Sequence, residues 1–369
     1  DLLERLVAYQ DESAGLAALR FFKDGKWKTV VVDDQMPCHG KAKLAYSSND
    51  APRDGPVCLA MKGLAKLYGC YEHLKGGRVG SALEDLTGGF KDKIYLRDGV
   101  RSGADQSGPL KQPDINVQEE LASGVLWARL GALHEGGHLL GAVFKPKYAS
   151  LGGSPAIDPS VLDANEALVY PVIGMKEVSN DSGGGRYVKL RNPFSKIGDN
   201  VTKAKEWEGP WGSSRAGAAE WSAHPGVASE LGGKPRDSST FWMSFEDFVS
   251  GFNKVHVCRL AEQSSGWLPQ PVVHGEWTPE TAGGKVGTPP GPGALWRRNP
   301  QYFLTLPERC TVIVAVAQPD ALLDANDDVD GYVNKIGFSI LSADKSASGI
   351  GGSKLLLSPD ELRFDSRLS

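Results

Sequence analysis

Hydrophobic and polar positions switch between strand and helix periods along the chain. In "AALRFFKDGKWKTVVVDD" (17–34) two β-rich runs flank Lys23-Asp24-Gly25-Lys26. An Asp-Gly pair between such runs predicts a hairpin, because both turn residues can take positive φ. The next stretch, "VCLAMKGLAKLYGCYEHL" (57–74), reads as an amphipathic helix. "KGGRVGS" (75–81) is a Gly-rich break and a candidate linker.

Residues 82–260 mix helices with strands. Val125, Leu126, Leu130 and Leu133 repeat near the helical period, and Gly136-Gly137 then predicts a helix cap and turn. "HLLGAVF", "LVYPVIGMKEV" and "RYVKLRN" predict strands. Stretches 145–166 and 195–205 read as surface insertions rich in Gly, Pro, Asp, Asn or Lys. "TFWMSFEDFVSGF" (240–252) reads as a helix with an aromatic start. From 261 onward, the short runs "PQYFLTL", "CTVIVAVAQ" and "KIGFSILSA" are separated by Gly/Pro/Asp loops, which predicts an all-β sandwich. "GGKVGTPPGPG" (283–293) reads as a loop.

Composition narrows the picture. With 40% hydrophobic and 23% charged residues the chain is ordinary for a globular protein. A net charge of −4 gives no reason to expect a nucleic-acid or membrane partner. No apolar run approaches the roughly 18 residues of a transmembrane helix. Cys38, Cys58, Cys70, Cys258 and Cys310 are scattered, odd in number and form no C-x-x-C pair. That pattern suggests reduced thiols and an intracellular, cytoplasmic setting. Each of the five reads as a small buried hydrophobe.

One motif invites a metal. His134-Glu135-Gly136-Gly137-His138 fits H-E-x-x-H, which on a continuous helix puts two His ligands and a general base on one face. Two central glycines each cost about 1 kcal/mol of helix propensity. The expected geometry, a helix end followed by a strand, sends the two histidines to different places, and no zinc is expected.

Several stretches together carry a likeness. "RFFKDGKWKTVVVDDQMP" (20–37), "LAKLYGCYEHLKGG" (64–77), "ALEDLTGG" (82–89), "VKLRNPF" (188–194), "STFWMSFEDF" (239–248), "GEWTPETAGG" (275–284), "RNPQYFLTL" (298–306) and "VNKIGFSIL" (333–341) resemble, in order, blocks of the calpain family of cysteine peptidases. The resemblance implies an α+β protein: a papain-like, two-lobed protease core followed by an antiparallel β-sandwich. It divides the chain into 1–77, a truncated first lobe; 78–260, the second lobe; and 261–369, the sandwich.

Cysteine peptidase chemistry needs a thiolate, a His that pairs with it and protonates the leaving amine, and an Asn or Asp that orients the imidazole. Asn192 in "RNPF" matches the family Asn, while Phe194 and Ser195 replace the Trp and Gly that follow. Asn-Pro also makes a turn after a strand without any catalytic role. Tyr170 matches the Tyr of the family's G-H-A-Y, so Leu168 stands where the His belongs. The nucleophile motif of the family, Q-G-x-x-G-D-C-W, precedes the hairpin; "DLLERLVAYQDESAGLAALR" (1–20) contains no Cys.

The resemblance also implies calcium, one ion per lobe, each needing about six to eight oxygen ligands. Asp54 matches a first-lobe carboxylate and Glu206 a second-lobe one. Ser213, Ser238 and Thr240 replace further acids, and Asp237 is displaced by one residue. Calcium binding is therefore expected to be weakened. In "DALLDANDDVDG" (320–331), Asp324, Asn326 and Asp328 have EF-hand spacing, but Val329 and Lys335 break the motif, leaving an acidic loop.

Two readings follow. One is a calpain-like protein without peptidase activity, a binding or regulatory module whose interlobe cleft still takes an extended peptide. The other is an active calcium-dependent cysteine endopeptidase whose Cys-bearing N-terminal segment lies outside this chain, as a start at Asp1 suggests.

Overall fold

A computed structural model describes residues 5–39, 43–46, 55–74, 79–96, 117–144, 168–192, 207, 209–212, 217–235, 239–261, 272–284, 298–302, 304, 312–317 and 336–338. The chain divides into two units. One comprises Asp1–Pro109, Asp114–Pro269 and Asp320–Tyr332; the other comprises Leu110–Pro113, Gln270–Pro319 and Val333–Ser369.

The first unit opens with strands β1 (Val7–Asp11), β2 (Leu16–Lys23) and β3 (Lys26–Asp33) in an antiparallel sheet of order β1-β2-β3. Asp24 and Gly25 close the predicted hairpin with φ of 54° and 73°. A two-strand ribbon, β4 (Cys38–His39) and β5 (Lys43–Leu44), follows. Helix α1 (Gly55–Tyr68) covers one face of the three-stranded sheet, packing Leu59, Ala60 and Leu64 on Ala17, Leu19, Phe21, Val30 and Val32. The helix stops earlier than its apolar pattern suggests because Gly69 takes φ 104°, a left-handed stop. Only a single 3-10 turn, Glu72–Leu74, continues it. Along the edge of β3, Lys66 Nζ donates to the Val31 carbonyl (2.8 Å) and Lys62 Nζ to that of Asp33 (3.1 Å).

Gly63 sets the distance between α1 and β2. A Cβ there would come within 2.7 Å of Leu19 Cδ1 and 2.8 Å of Phe21 Cε2. Both partners are fully buried and have nowhere to go. Gly63→Val is therefore expected to destabilise the protein by about 1–3 kcal/mol, read as a lower urea midpoint at unchanged slope.

The Gly-rich stretch 75–81 is not all linker. Residues 75–78 lie outside the described residues, but Val79 already begins helix α2 (Val79–Thr87), where Gly80 and Ser81 are buried. Beyond it come β6 (Phe90–Tyr95), α3 (Val117–Ala122), α4 (Val125–Glu135), β7 (Leu139–Phe144), β8 (Leu168–Val178), β9 (Gly185–Arg191), α5 (Ala218–Ala223), α6 (Pro225–Glu230), β10 (Thr240–Ser244), α7 (Phe245–Gly251) and β11 (Lys254–Arg259). The strands form an antiparallel six-stranded sheet of order β10-β9-β8-β7-β11-β6. Its core gathers Leu126, Leu130, Leu140, Tyr170, Leu190, Phe248 and Val255.

The stretch 240–252 is half strand. Residues 240–244 pair with β9, and the helix begins only at Phe245, where the Ser244 side chain caps it by accepting the Asp247 N–H (3.0 Å). The insertions predicted at 145–166 and 195–205 fall outside the described residues.

In the second unit the expected sandwich strands lie largely outside the described residues. The described parts, 300–302, 304, 312–317 and 336–338, carry no strand pairing. Asn299 ties this region locally, accepting from Trp277 Nε1 (3.2 Å) and Gly283 N (2.9 Å) and donating to the Gly284 carbonyl (2.8 Å). Mixed α/β structure with antiparallel sheets is thus what the described chain shows. No helix among the described residues is long and apolar enough to cross a membrane.

Candidate active site

Strands β8 and β9 carry the two candidate positions. Leu168 opens β8, opposite Phe144 at the end of β7, and is 1% exposed. Asn192 directly follows β9 and is 2% exposed; its N–H donates to the Ser239 carbonyl at 2.6 Å. Val172 of β8 faces Leu190 of β9. Beyond that pair, β8 runs back through Tyr170 to Leu168 while β9 runs on through Arg191 to Asn192, so both candidate positions lie toward the same end of the sheet. Tyr170 is fully buried between Phe241 (6.2 Å between ring centroids) and Phe252 (5.6 Å). Burial holds its phenol well above the usual tyrosine range, so it stays neutral.

The Leu168 side chain neither donates nor accepts a proton. Phe194, Ser195, Asp54, Glu206, Ser213, Asp237 and Ser238 lie outside the described residues, and so do Asp324, Asn326 and Asp328. Thr240 opens β10 opposite Arg191. Among the described residues no group of three His, Cys, Asp or Glu is placed to hold a metal ion. These residues alone do not assemble a calcium site.

The aromatic shell of β10 went unnoticed in the sequence. Trp211, a non-glycine residue at φ 64°, accepts the Trp242 N–H on its carbonyl (3.3 Å). Its ring meets Tyr187 at 5.3 Å and Trp221 at 5.1 Å. Bulky residues rarely hold positive φ, so this packing over-determines the turn.

The two motif histidines separate as their glycines imply. Helix α4 ends with Glu135, Gly136 caps it, and Gly137 turns the chain at φ 73°. His138 is buried, and its Nδ1 accepts the Leu260 N–H at 3.1 Å, a bond that requires a neutral ring. Burial first, and the Arg259 charge second, hold its pKa below the usual value. Folding therefore prefers the unprotonated ring. The stabilisation is complete above the unfolded value of about 6.5 and is lost as pH falls through the lower folded value. The melting temperature is expected to drop between pH 7.5 and pH 5. His138→Asn, which keeps an acceptor near the Nδ1 position without titrating, should show a shallower drop.

The cysteines divide by environment. Cys58 and Cys258 are buried, as expected of small hydrophobes; Cys70 is partly exposed, and Cys38 is exposed, contrary to that expectation. Cys38 lies just beyond the hairpin, where the chain leaves the sheet. Burial pushes the Cys258 thiol up to about 11, the opposite of an activated nucleophile. Cys310 lies outside the described residues.

Comparison with known proteins fits this geometry. The profile of the calpain family cysteine protease matches residues 1–259. The calpain-type cysteine protease ADL1 of Oryza sativa subsp. japonica is 31% identical over 310 residues, 83% of this chain and 12% of the relative. Calpain-A of Drosophila melanogaster is 28% identical over 356 residues, 91% of this chain and 38% of the relative. Calpain-8 of Homo sapiens is 30% identical over 322 residues, 84% of this chain and 39% of the relative. The chain thus spans well under half the length of these relatives. With the match covering both sheets of the first unit, the chain belongs to the calpain family of cysteine proteases.

Proposed function

We propose that this chain is a calpain-type core that binds rather than cuts, a regulatory module in an intracellular protein. Leu168 carries the reading: a fully buried leucine occupies the position that the family resemblance gives to the catalytic His, toward the same end of the sheet as Asn192. The proposed organisation keeps residues 1–77 and 78–260 as papain-like lobes and 261–369 as a β-sandwich. An extended peptide in the cleft between the lobes would be held by backbone pairing, which needs neither Cys nor His. Asp54, Glu206 and Asp237 would supply at most a reduced calcium ligand set.

A competing reading is an active calcium-dependent endopeptidase with its nucleophile on a segment outside residues 1–369. The relatives' names as cysteine proteases, and the small share of their length that this chain spans, favour it. Leu168 stands against it. The deciding experiment is casein cleavage by the full-length natural protein, with millimolar calcium or chelator, with and without a thiol-alkylating reagent, beside Leu168→His. Silence of the natural protein supports the proposal. Calcium-dependent, alkylation-sensitive cleavage overturns it.

A further inference from the structure

Helix α2 touches both sheets of the first unit. Toward the six-stranded sheet, Glu84 pairs with Lys91 of β6 (3.1 Å), and Thr87 Oγ1 lies 3.3 Å from Cys258 Sγ of β11. Toward the three-stranded sheet, Leu86 packs on the Leu19/Phe21 core. Just past the helix, Gly88 lies under Trp27, whose Cζ2 a Cβ would approach to 2.8 Å.

At this junction the structure buries charge. Lys23 of β2 donates from Nζ to the Tyr68 hydroxyl of α1 at 2.7 Å, and that hydroxyl donates to Asp85 Oδ2 of α2. Lys23 Nζ also lies 3.8 Å from Asp85 Oδ1 and 4.4 Å from the centre of the Tyr68 ring. Asp85 is 3% exposed and Lys23 9%. Burial first, and donation to Asp85 second, keep the Tyr68 phenol well above its usual value, so it remains a donor.

We infer that Lys23, Tyr68 and Asp85 form a latch that fixes the three-stranded layer against the six-stranded sheet. Apolar side chains can slide past one another at little cost as long as they stay covered. A buried carboxylate cannot: desolvating it costs several kcal/mol, offset only while its partners keep their places. Shifting the layer by a few ångströms would pull Asp85 away from the Tyr68 hydroxyl and the Lys23 ammonium. The latch therefore admits two arrangements, engaged or fully hydrated, and disfavours everything between. It needs no metal and no catalytic group, so it holds whether or not the protein cleaves peptides.

Hydrogen exchange on the full-length protein tests this. Tyr68→Phe removes only the hydroxyl. It is expected to speed exchange about tenfold or more across Leu16–Asp33 and Gly55–Tyr68. Exchange in Leu168–Val178 and Gly185–Arg191 should stay unchanged. Asp85→Asn should act on the same segments, and the double variant should exchange no faster than Asp85→Asn alone, as members of one network do. Faster exchange in equal proportion across both sheets would reduce the triad to ordinary stabilisation and overturn the latch. Unchanged exchange in Tyr68→Phe would overturn it as well. Should Asp85→Asn fail to fold, Tyr68→Phe still decides, because it keeps the ring and its packing.

Discussion

On the proposed reading, with Leu168 at the position of the family His, casein cleavage by the natural full-length protein is expected to remain at background. Proton transfer by a positioned His is worth about 10²–10⁴ in rate. Its absence also leaves any thiol near its free pKa of about 8.5, with only about 3% thiolate at pH 7. The described histidines nearest in the sheet offer no rescue. His138 precedes β7 while Leu168 pairs with Phe144 at the far end of that strand. At about 3.3 Å per residue the two are separated by roughly 20 Å. His138 Nδ1 is also committed to the Leu260 N–H. His256 lies on β11 opposite Gly141, three residues short of Phe144. If Leu168→His restores cleavage, the block lies at this position alone and a nucleophile exists elsewhere in the natural protein. If both stay silent, binding is the remaining activity, and partners of the cleft become the target.

Tyr170→Ala is expected to cost the protein about 3–5 kcal/mol, the range for truncating a fully enclosed aromatic. Tyr170 is 0% exposed and sits edge-on to Phe241 and Phe252. Its removal opens a cavity where β8, β10 and the end of α7 meet, bounded by residues too tightly packed to fill it. For a unit of this size the melting temperature should fall by roughly 10 °C. Tyr170→Phe, which keeps the ring, should cost about 1 kcal/mol. A Tyr170→Ala loss no larger than that of Tyr170→Phe would mean that the site is less enclosed than its geometry indicates.

What could be read in the sequence was what is local and periodic. The β2–β3 hairpin announces itself through Asp24-Gly25, and β8 through the continuous run Leu168–Val178. Where local signals compete, reading failed: in 240–252 the apolar residues fit either a buried strand or a helix face. The Ser244 cap, whose Oγ accepts the Asp247 N–H and donates to Asp247 Oδ2, marks where one gives way to the other. The apolar pattern overstates helix α1, since it runs on past Gly69 while the backbone turns there. Strand β9 is legible too, because "RYVKLRN" is a short β-rich run bounded by Gly and Asn-Pro. The Lys23–Tyr68–Asp85 cluster was not, since single polar residues far apart in sequence leave no period to detect.

The lysines along β3 have a consequence for self-association. Lys62 and Lys66 already occupy carbonyls of that edge, and their charges repel a like neighbour. Among the described residues, strand β1 at the opposite edge pairs only with β2. A strand added along β3 would have to displace both ammonium groups from their carbonyls, so edge-to-edge growth at this border is disfavoured.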